Sequence, residues 1–366
     1  MTGRGCLHRI LNRQPTDRLA WTTLADDTTR AGMPDEVRQL SPIEFYRLVG
    51  CDILQFGNYG LGADWAVPQP SRLVSSSVKC EVQPGADGVI TRRRLTSEGT
   101  LTAVIQRDHP IEYPVKSFQD LRILRGIWEA SDYVEEPGME EAFDRLERYI
   151  GESGMYVPTV EPSPVQDLLE NEMGMATFYY LLQDHPREVE ELLAIMHRRR
   201  LQEFQILARR TPAEVVIPIE NTSSTLISPD LYRKYSLPQV SDYVDVLHRH
   251  GKKAVLHMCG HLKALLPVIH QTGLDGINAA TPPSVGTTSV EDILDAYGED
   301  FVLFGAILDP TVFHQTDVTP EQIHACLDRL YTPRVRRAHM LLWVAVDGLT
   351  TPLHKFQTIN RWMLAS

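Results

Sequence analysis

The stretch Ala254-Val255-Leu256-His257-Met258-Cys259-Gly260 decides how this chain is read. Its first half is a short apolar run, the pattern of a strand buried on both faces in a parallel sheet. Side chains two apart on a strand share a face, so His257 and Cys259 are expected to point the same way at its end. An imidazole and a thiolate side by side suit a soft divalent ion such as zinc. Two donors do not make a site, so the fold must bring other groups to the same place.

Working outward, similar runs recur along the chain. They are Arg18–Thr23, Asp52–Gly57, Met155–Val160, Glu214–Glu220, Lys253–Met258, Asp275–Ala279, Asp300–Gly305 and Met340–Val346. Helical patterns lie between most of them, clearest at Glu188–Arg209, Ser228–His250, Leu262–Gln271, Ser289–Tyr297 and Pro320–Leu330. A short helix is expected at Leu7–Asn12. Ser41 is placed to cap another, with Pro42 in its first turn. Further helices are expected at Ser117–Glu129 and Glu140–Ile150. Alternating strands and helices imply a parallel sheet. Eight strands point to an α/β fold of the closed (β/α)8 TIM-barrel type, one domain over 1–366. No glycine-rich phosphate turn follows any strand, which argues against an open doubly wound sheet. Residues about 70–110 differ. They are rich in Val, Thr and Ser, with turn signals at Pro84–Gly88 and Glu98-Gly99, and read as β-hairpins inserted into the barrel.

Composition narrows the classes. Of 366 residues, 43% are hydrophobic and 23% charged, ordinary for a soluble globular chain. A net charge of −12 without a basic run excludes a phosphate-tracking surface, so nucleic acid is not an expected partner. No apolar window is long enough to cross a bilayer, so no membrane association is expected. The five cysteines form no short-spaced framework, and Met1–Pro15 lacks an apolar signal core. Both features are read as a reducing, cytoplasmic setting.

In an α/β barrel the working residues sit at the carboxyl ends of the strands. Reading off those ends gives Glu220 and Asn221, His257 and Cys259, Asn278, and Asp347. His257, Cys259 and Asp347 are the candidate metal ligands, and Glu220 and Asp347 the candidate catalytic carboxylates. Asn221 and Asn278 are candidate substrate contacts, with Tyr59 and Trp65 after the second strand as aromatic packing partners beside Phe56. Each has a structural alternative. Glu220 could cap the turn Asn221-Thr222-Ser223-Ser224, Asp347 could shape the turn before Gly348, and the aromatics could be plain core. Cys6, Cys51 and Cys326 read as small buried hydrophobes. His261 is expected to open the next helix.

Leu256-His257-Met258-Cys259-Gly260-His261 resembles the H-x-C-G motif of zinc-dependent, corrinoid-linked methyltransferases of the uroporphyrinogen decarboxylase superfamily. Other stretches agree in order and spacing. Arg9–Asn12 with Thr16-Asp17-Arg18 is similar to the superfamily's opening segment. Thr96–Leu101, Tyr113–Lys116 and Asp120-Leu121 look like the methyltransferase branch. Ile227–Tyr232 with Pro238 resembles the helix before the motif strand. Phe304–Pro310 resembles a G-N-x-D-P segment, with Ala306 for Asn and one extra residue before Asp309. The resemblance spans nearly the whole chain and implies a (β/α)8 barrel. It further implies methyl transfer between a small methyl donor and a corrinoid (cobalamin) on a partner carrier protein, with zinc as Lewis acid. One departure matters. Where coenzyme-M-type relatives place a third ligand Cys after the last strand, this chain reads Trp343–Pro352 without Cys, and Asp347 is the nearest ligand-capable residue. A harder carboxylate ligand favours oxygen chemistry, O-demethylation of a methoxylated compound, over thiol alkylation. The Arg-rich N-terminal stretch that decarboxylases use for porphyrinogen carboxylates is missing. Two other classes stay open: a metal-free decarboxylase with Asp347 or Glu220 as acid, and a non-catalytic barrel that binds a corrinoid protein or a ligand.

Overall fold

The computed structural model describes residues 1–366 except 62–64, 66–67, 108 and 347. The strands are β1 (Ala20–Leu24), β2 (Ile53–Phe56), β3 (Ser71–Ser75), β4 (Lys79–Pro84), β5 (Val89–Thr96), β6 (Gly99–Gln106), β7 (His109–Glu112), β8 (Ser131–Glu135), β9 (Gly154–Val157), β10 (Thr159–Val160), β11 (Val215–Pro218), β12 (Lys253–His257), β13 (Gly276–Asn278), β14 (Val302–Ile307) and β15 (Met340–Ala345).

The parallel strands run β10-β11-β12-β13-β14-β15-β1, and β2 pairs with β9. Strands β9 and β10 are one extended segment broken at Pro158, which has no N–H for a ladder. Its first half pairs with β2 and its second with β11, so the segment serves a different neighbour on each side of the break. Between β1 and β2 single hydrogen bonds replace a ladder. The Asp52 N–H donates to the Trp21 carbonyl at 2.8 Å, and the Arg18–Asp52 ion pair lies at the same seam. The result is the eight-stranded (β/α)8 barrel expected from the sequence, with each expected strand found within a few residues of its place.

The barrel interior has two levels. The lower one is apolar, built from Leu54, Met155, Val157, Val215, Ile217, Val255, Val302, Phe304 and Leu341. The helix Gly3–Leu11 closes it from below with buried Cys6, Leu7, Ile10 and Leu11. The upper level holds Leu24, Ala279 and Trp343 with Phe56, Tyr59, Ile307 and Ala345 packed on them. A separate apolar shell fills the space between strands and helices. Cys6, Cys51 and Cys326 are buried in these layers, as their composition-based reading has it.

The insertion is larger than the sequence signals. Strands β4-β5-β6-β7 form an antiparallel meander, and β3 pairs with β8 beyond it, so the inserted module runs from Ser71 to Glu135. Leu101, Ala103 and Ile105 of β6 are buried at every second position, the alternation of a sheet covered on one face. That face meets the helix Phe118–Glu129, which Ser117 caps.

Several helices differ from their sequence pattern. The expected Ser228–His250 helix starts at the Ser228 cap but opens into a π-turn over Tyr232–Ser236. Pro238, just beyond, cannot donate to the carbonyl of Lys234, and widening the turn there relieves the mismatch. A second π-turn occupies Leu168–Glu172. The expected Leu262–Gln271 helix shrinks to Leu266–Ile269 and one 3-10 turn. His261 accordingly opens no helix. It lies in a loop, its N–H donating to Ser223 Oγ at 3.1 Å.

Candidate active site at the barrel mouth

Strand β12 carries its inward residues at Val255 and His257, and the polar one is the last before the mouth. His257 is partly buried, with Phe56 and Trp343 rings at centroid distances of 5.5 and 5.8 Å. Its Nδ1 lies 2.6 Å from Asn278 Oδ1. The Asn278 Nδ2 donates to the Phe304 carbonyl at 2.6 Å, and Asn278 is fully buried. This second bond fixes the amide. Its nitrogen faces Phe304, so its oxygen faces the imidazole, and an amide oxygen can only accept. Nδ1 must therefore carry the hydrogen, and in the neutral ring Nε2 is left with the lone pair. Burial pushes the His257 pKa down to about 4, against the opposing Asn278 bond, so the ring is neutral at pH 7.

Gly305 makes this arrangement possible. It has φ 137°, and a Cβ there would lie 2.4 Å from Asn278 Nδ2 and 3.0 Å from the Trp343 ring. Gly260 plays a similar part in the motif. A Cβ on it would meet the Thr222 carbonyl at 2.4 Å, so glycine lets the loop after β12 close onto the loop after β11.

Cys259 is exposed, unlike the buried thiols, and its Sγ is 3.3 Å from Asn221 Oδ1. Asn221 sits at φ 41°, a left-handed conformation that Asn tolerates better than most residues. Its N–H and that of Glu220 both donate to the His257 carbonyl, at 2.9 and 3.0 Å. The Asn221 Nδ2 donates to Glu170 Oε2 at 3.2 Å. Glu170 is a residue that sequence reading missed. It lies in the π-turn Leu168–Glu172, and no periodicity in the sequence announces a π-turn. Burial raises its pKa to about 7.

Glu220 is 1% exposed, and Ser163 binds both its oxygens, N–H to Oε1 and Oγ to Oε2, each at 2.8 Å. Burial raises its pKa to about 7 in spite of those bonds. Its side chain thus ties the loop after β10 to the end of β11 rather than capping the turn that follows it.

Tyr59 packs in the upper level beside Phe56 and Trp343. Trp65 does not join them. Its ring stacks on Tyr149 at 4.9 Å with Arg145 over its face at 4.6 Å, and it packs with the outer shell. The proximity of Trp65 to Tyr59 in sequence does not carry it into the mouth. Asp347 lies outside the described residues. Its neighbour Gly348 donates its N–H to Asp26 Oδ2 at 2.9 Å.

Among the described residues, no group of three or more His, Cys, Asp and Glu side chains is placed to hold a metal ion. His257 and Cys259 are the two described donors that fit zinc by type. The tautomer fits as well, because a ligating imidazole ordinarily gives its other N–H to an acceptor such as Asn278.

Residues 168–338 match the family model described as uroporphyrinogen decarboxylase (URO-D). That stretch of the chain is similar to the family. The matched region holds Glu170, Glu220, the His257–Cys259 pair and Asn278. A solved methyltransferase from Methanosarcina mazei is similar in fold over the whole chain. Its TM-score is 0.59 and its identity 14%, and the match covers 100% of this chain and 99% of that one. An HpcH/HpaI aldolase from Desulfitobacterium hafniense DCB-2 is matched over 40% of this chain and 82% of its own, at 13% identity and a TM-score of 0.19. No curated protein matches the chain. No helix among the described residues is long and apolar enough to cross a membrane.

Proposed function

We propose that this protein is a methyltransferase that moves a methyl group between a small methyl donor and a corrinoid on a partner carrier protein. The favoured donor is a methoxylated compound, which makes the reaction an O-demethylation. The observation that carries the reading is the Phe304–Asn278–His257 relay. It prepares a neutral imidazole with a free Nε2 lone pair in the motif that supplies Cys259. A hydrogen-bond acceptor on the far ring nitrogen commonly orients a ligating histidine in this way. His257 and Cys259 would hold zinc, with Asp347 as the proposed third ligand, and the bound ion would supply Lewis acidity toward an ether oxygen or a thiol. The protein is proposed to work in the cytoplasm, without nucleic-acid or membrane partners.

The chain's own residues have definable parts. Asn278 orients the imidazole and keeps it in one tautomer. Phe56, Tyr59 and Trp343 exclude water from the ring and offer an apolar wall to the methyl-bearing end of a substrate. Asn221 anchors Cys259 Sγ to the loop after β11.

A second reading, decarboxylation, draws on the buried Glu220 and the mouth residue Glu170, whose pKa values near 7 suit proton transfer. The two readings separate on metal. Wild-type protein is expected to carry about one zinc per chain by mass spectrometry, lost in the His257→Ala/Cys259→Ala variant, together with a loss of demethylation on the order of 100-fold or more with Co(I) corrinoid. Metal-free wild-type protein after zinc supply, or near-normal turnover in the variant, would remove metal chemistry and leave decarboxylation as the reading to pursue.

A further inference from the structure

Both donors of the motif lean on an asparagine. His257 meets Asn278, whose amide is held from behind by the Phe304 carbonyl. Cys259 meets Asn221, whose amide is held from behind by Glu170. The first arrangement sets a tautomer. The second sets the place of a sulfur.

Asn221 has all four of its polar groups engaged. Its N–H donates to the His257 carbonyl at 2.9 Å, and its own carbonyl accepts from Gln166 Nε2 at 3.3 Å. Its Nδ2 donates to Glu170 Oε2 at 3.2 Å, and its Oδ1 accepts from Cys259 Sγ at 3.3 Å. The first two bonds fix the main chain, which is left-handed here at φ 41°. The side chain keeps one freedom, because an amide can turn over and exchange its oxygen for its nitrogen at nearly unchanged shape.

The sulfur has little power to choose between those two ends. A thiol is a weak donor and a weak acceptor. Glu170 has that power. An ionised carboxylate only accepts, so it draws the amide nitrogen and leaves the oxygen to Cys259. Gln166 lies in the helix Pro164–Asp167 and Glu170 in the π-turn Leu168–Glu172 that continues it. One segment therefore grips Asn221 twice, by its main chain and by its side chain. Cys259 lies at the exposed end of this chain of contacts.

We propose that Glu170 is a positioning residue for Cys259, holding the Asn221 amide in the orientation that seats the sulfur. It is to the thiol what the Phe304 carbonyl is to the imidazole. That the seated sulfur binds an ion rests on the zinc reading; the seating does not.

Two measurements test this on Glu170→Ala and Glu170→Gln, the second of which keeps an oxygen that can accept from Asn221 Nδ2. The first is zinc affinity by chelator competition. Glu170→Ala is expected to lose about tenfold or more, and Glu170→Gln to stay close to wild type. The second needs no metal. It is the rate at which iodoacetamide alkylates Cys259 in the metal-free protein, followed by peptide mass spectrometry. With its acceptor no longer held, the sulfur of Glu170→Ala is expected to react at least about threefold faster, and that of Glu170→Gln at the wild-type rate. Continued protection of the buried Cys6, Cys51 and Cys326 in the same digest shows that a variant is folded. Should the alanine variant expose them, Glu170→Met keeps the bulk without the hydrogen bond and takes its place. Wild-type behaviour of the folded alanine or methionine variant in both measurements would overturn the proposal. So would a glutamine variant as impaired as alanine, since charge rather than amide orientation would then be at work. A wild-type protein that takes up no zinc, with the expected order of alkylation rates, would defeat the zinc reading and keep the seating of Cys259.

Discussion

The lower and upper halves of the barrel interior are made by the same strands, yet they are different materials. Below, Val215, Val255, Val302 and Leu341 meet the N-terminal helix in a dry apolar plug. One inward step higher, β12 and β13 present His257 and Asn278 among aromatic rings. The polar groups enter only where the strands end, and their hydrogen bonds are completed by neighbouring strands rather than by water. The difference teaches that this barrel separates what holds it together from the groups proposed to act along a single axis, within a few residues of each strand.

Three substitutions probe that division, beyond the double variant. The largest expected effect is in the plug. Ile10→Ala removes a buried side chain from the lower level and should cost about 3–4 kcal/mol of unfolding free energy in denaturant melts. Zinc bound per folded chain should be unchanged. A loss of metal at temperatures where the variant is still folded would show that the two levels are not separable.

Next comes pH, acting through Glu220. Its pKa is about 7 in the folded protein against an ordinary 4.5. The folded state therefore holds a proton that the unfolded state gives up between those values. The stabilising share is complete below pH 4.5 and is lost as pH rises through 7. Replacing it by Glu220→Gln should make the variant gain on wild type by about 3 kcal/mol between pH 4 and pH 8. Parallel pH–stability curves for the two proteins would refute this assignment.

The smallest effect is the most specific. Asn278→Ala should weaken zinc binding by roughly 10- to 100-fold in chelator competition, because the imidazole loses its orienting partner. If affinity is unaffected, the relay is structural and the upper level loses its functional claim.

Much of this was legible in the sequence. Eight apolar runs at strand length located every barrel strand, because burial on both faces leaves little room for polar residues. The period of two put His257 on the inward face directly. Ser41, Ser117 and Ser289 announced helix starts by residue type alone, and each accepts its capping hydrogen bond. What was not legible depended on distant partners. Strand β8 has no pattern of its own and exists because β3 pairs with it. Glu170 lies in a π-turn, which no sequence period marks. Trp65 shows the converse. Closeness in sequence to Phe56 and Tyr59 did not decide its packing, since Tyr149 and Arg145 offered a better surface.

Gly305 carries a consequence for how such sites vary. The position that most strictly limits the imidazole has no functional group to lose. A methyl group there would leave His257, Cys259 and Asn278 all in place and still push the Asn278 amide from its seat. A search for drift in the proposed activity that follows only acids, bases and candidate ligands would pass over it. Two chains with identical polar residues at the mouth could then differ in chemistry through a single hydrogen atom exchanged for carbon.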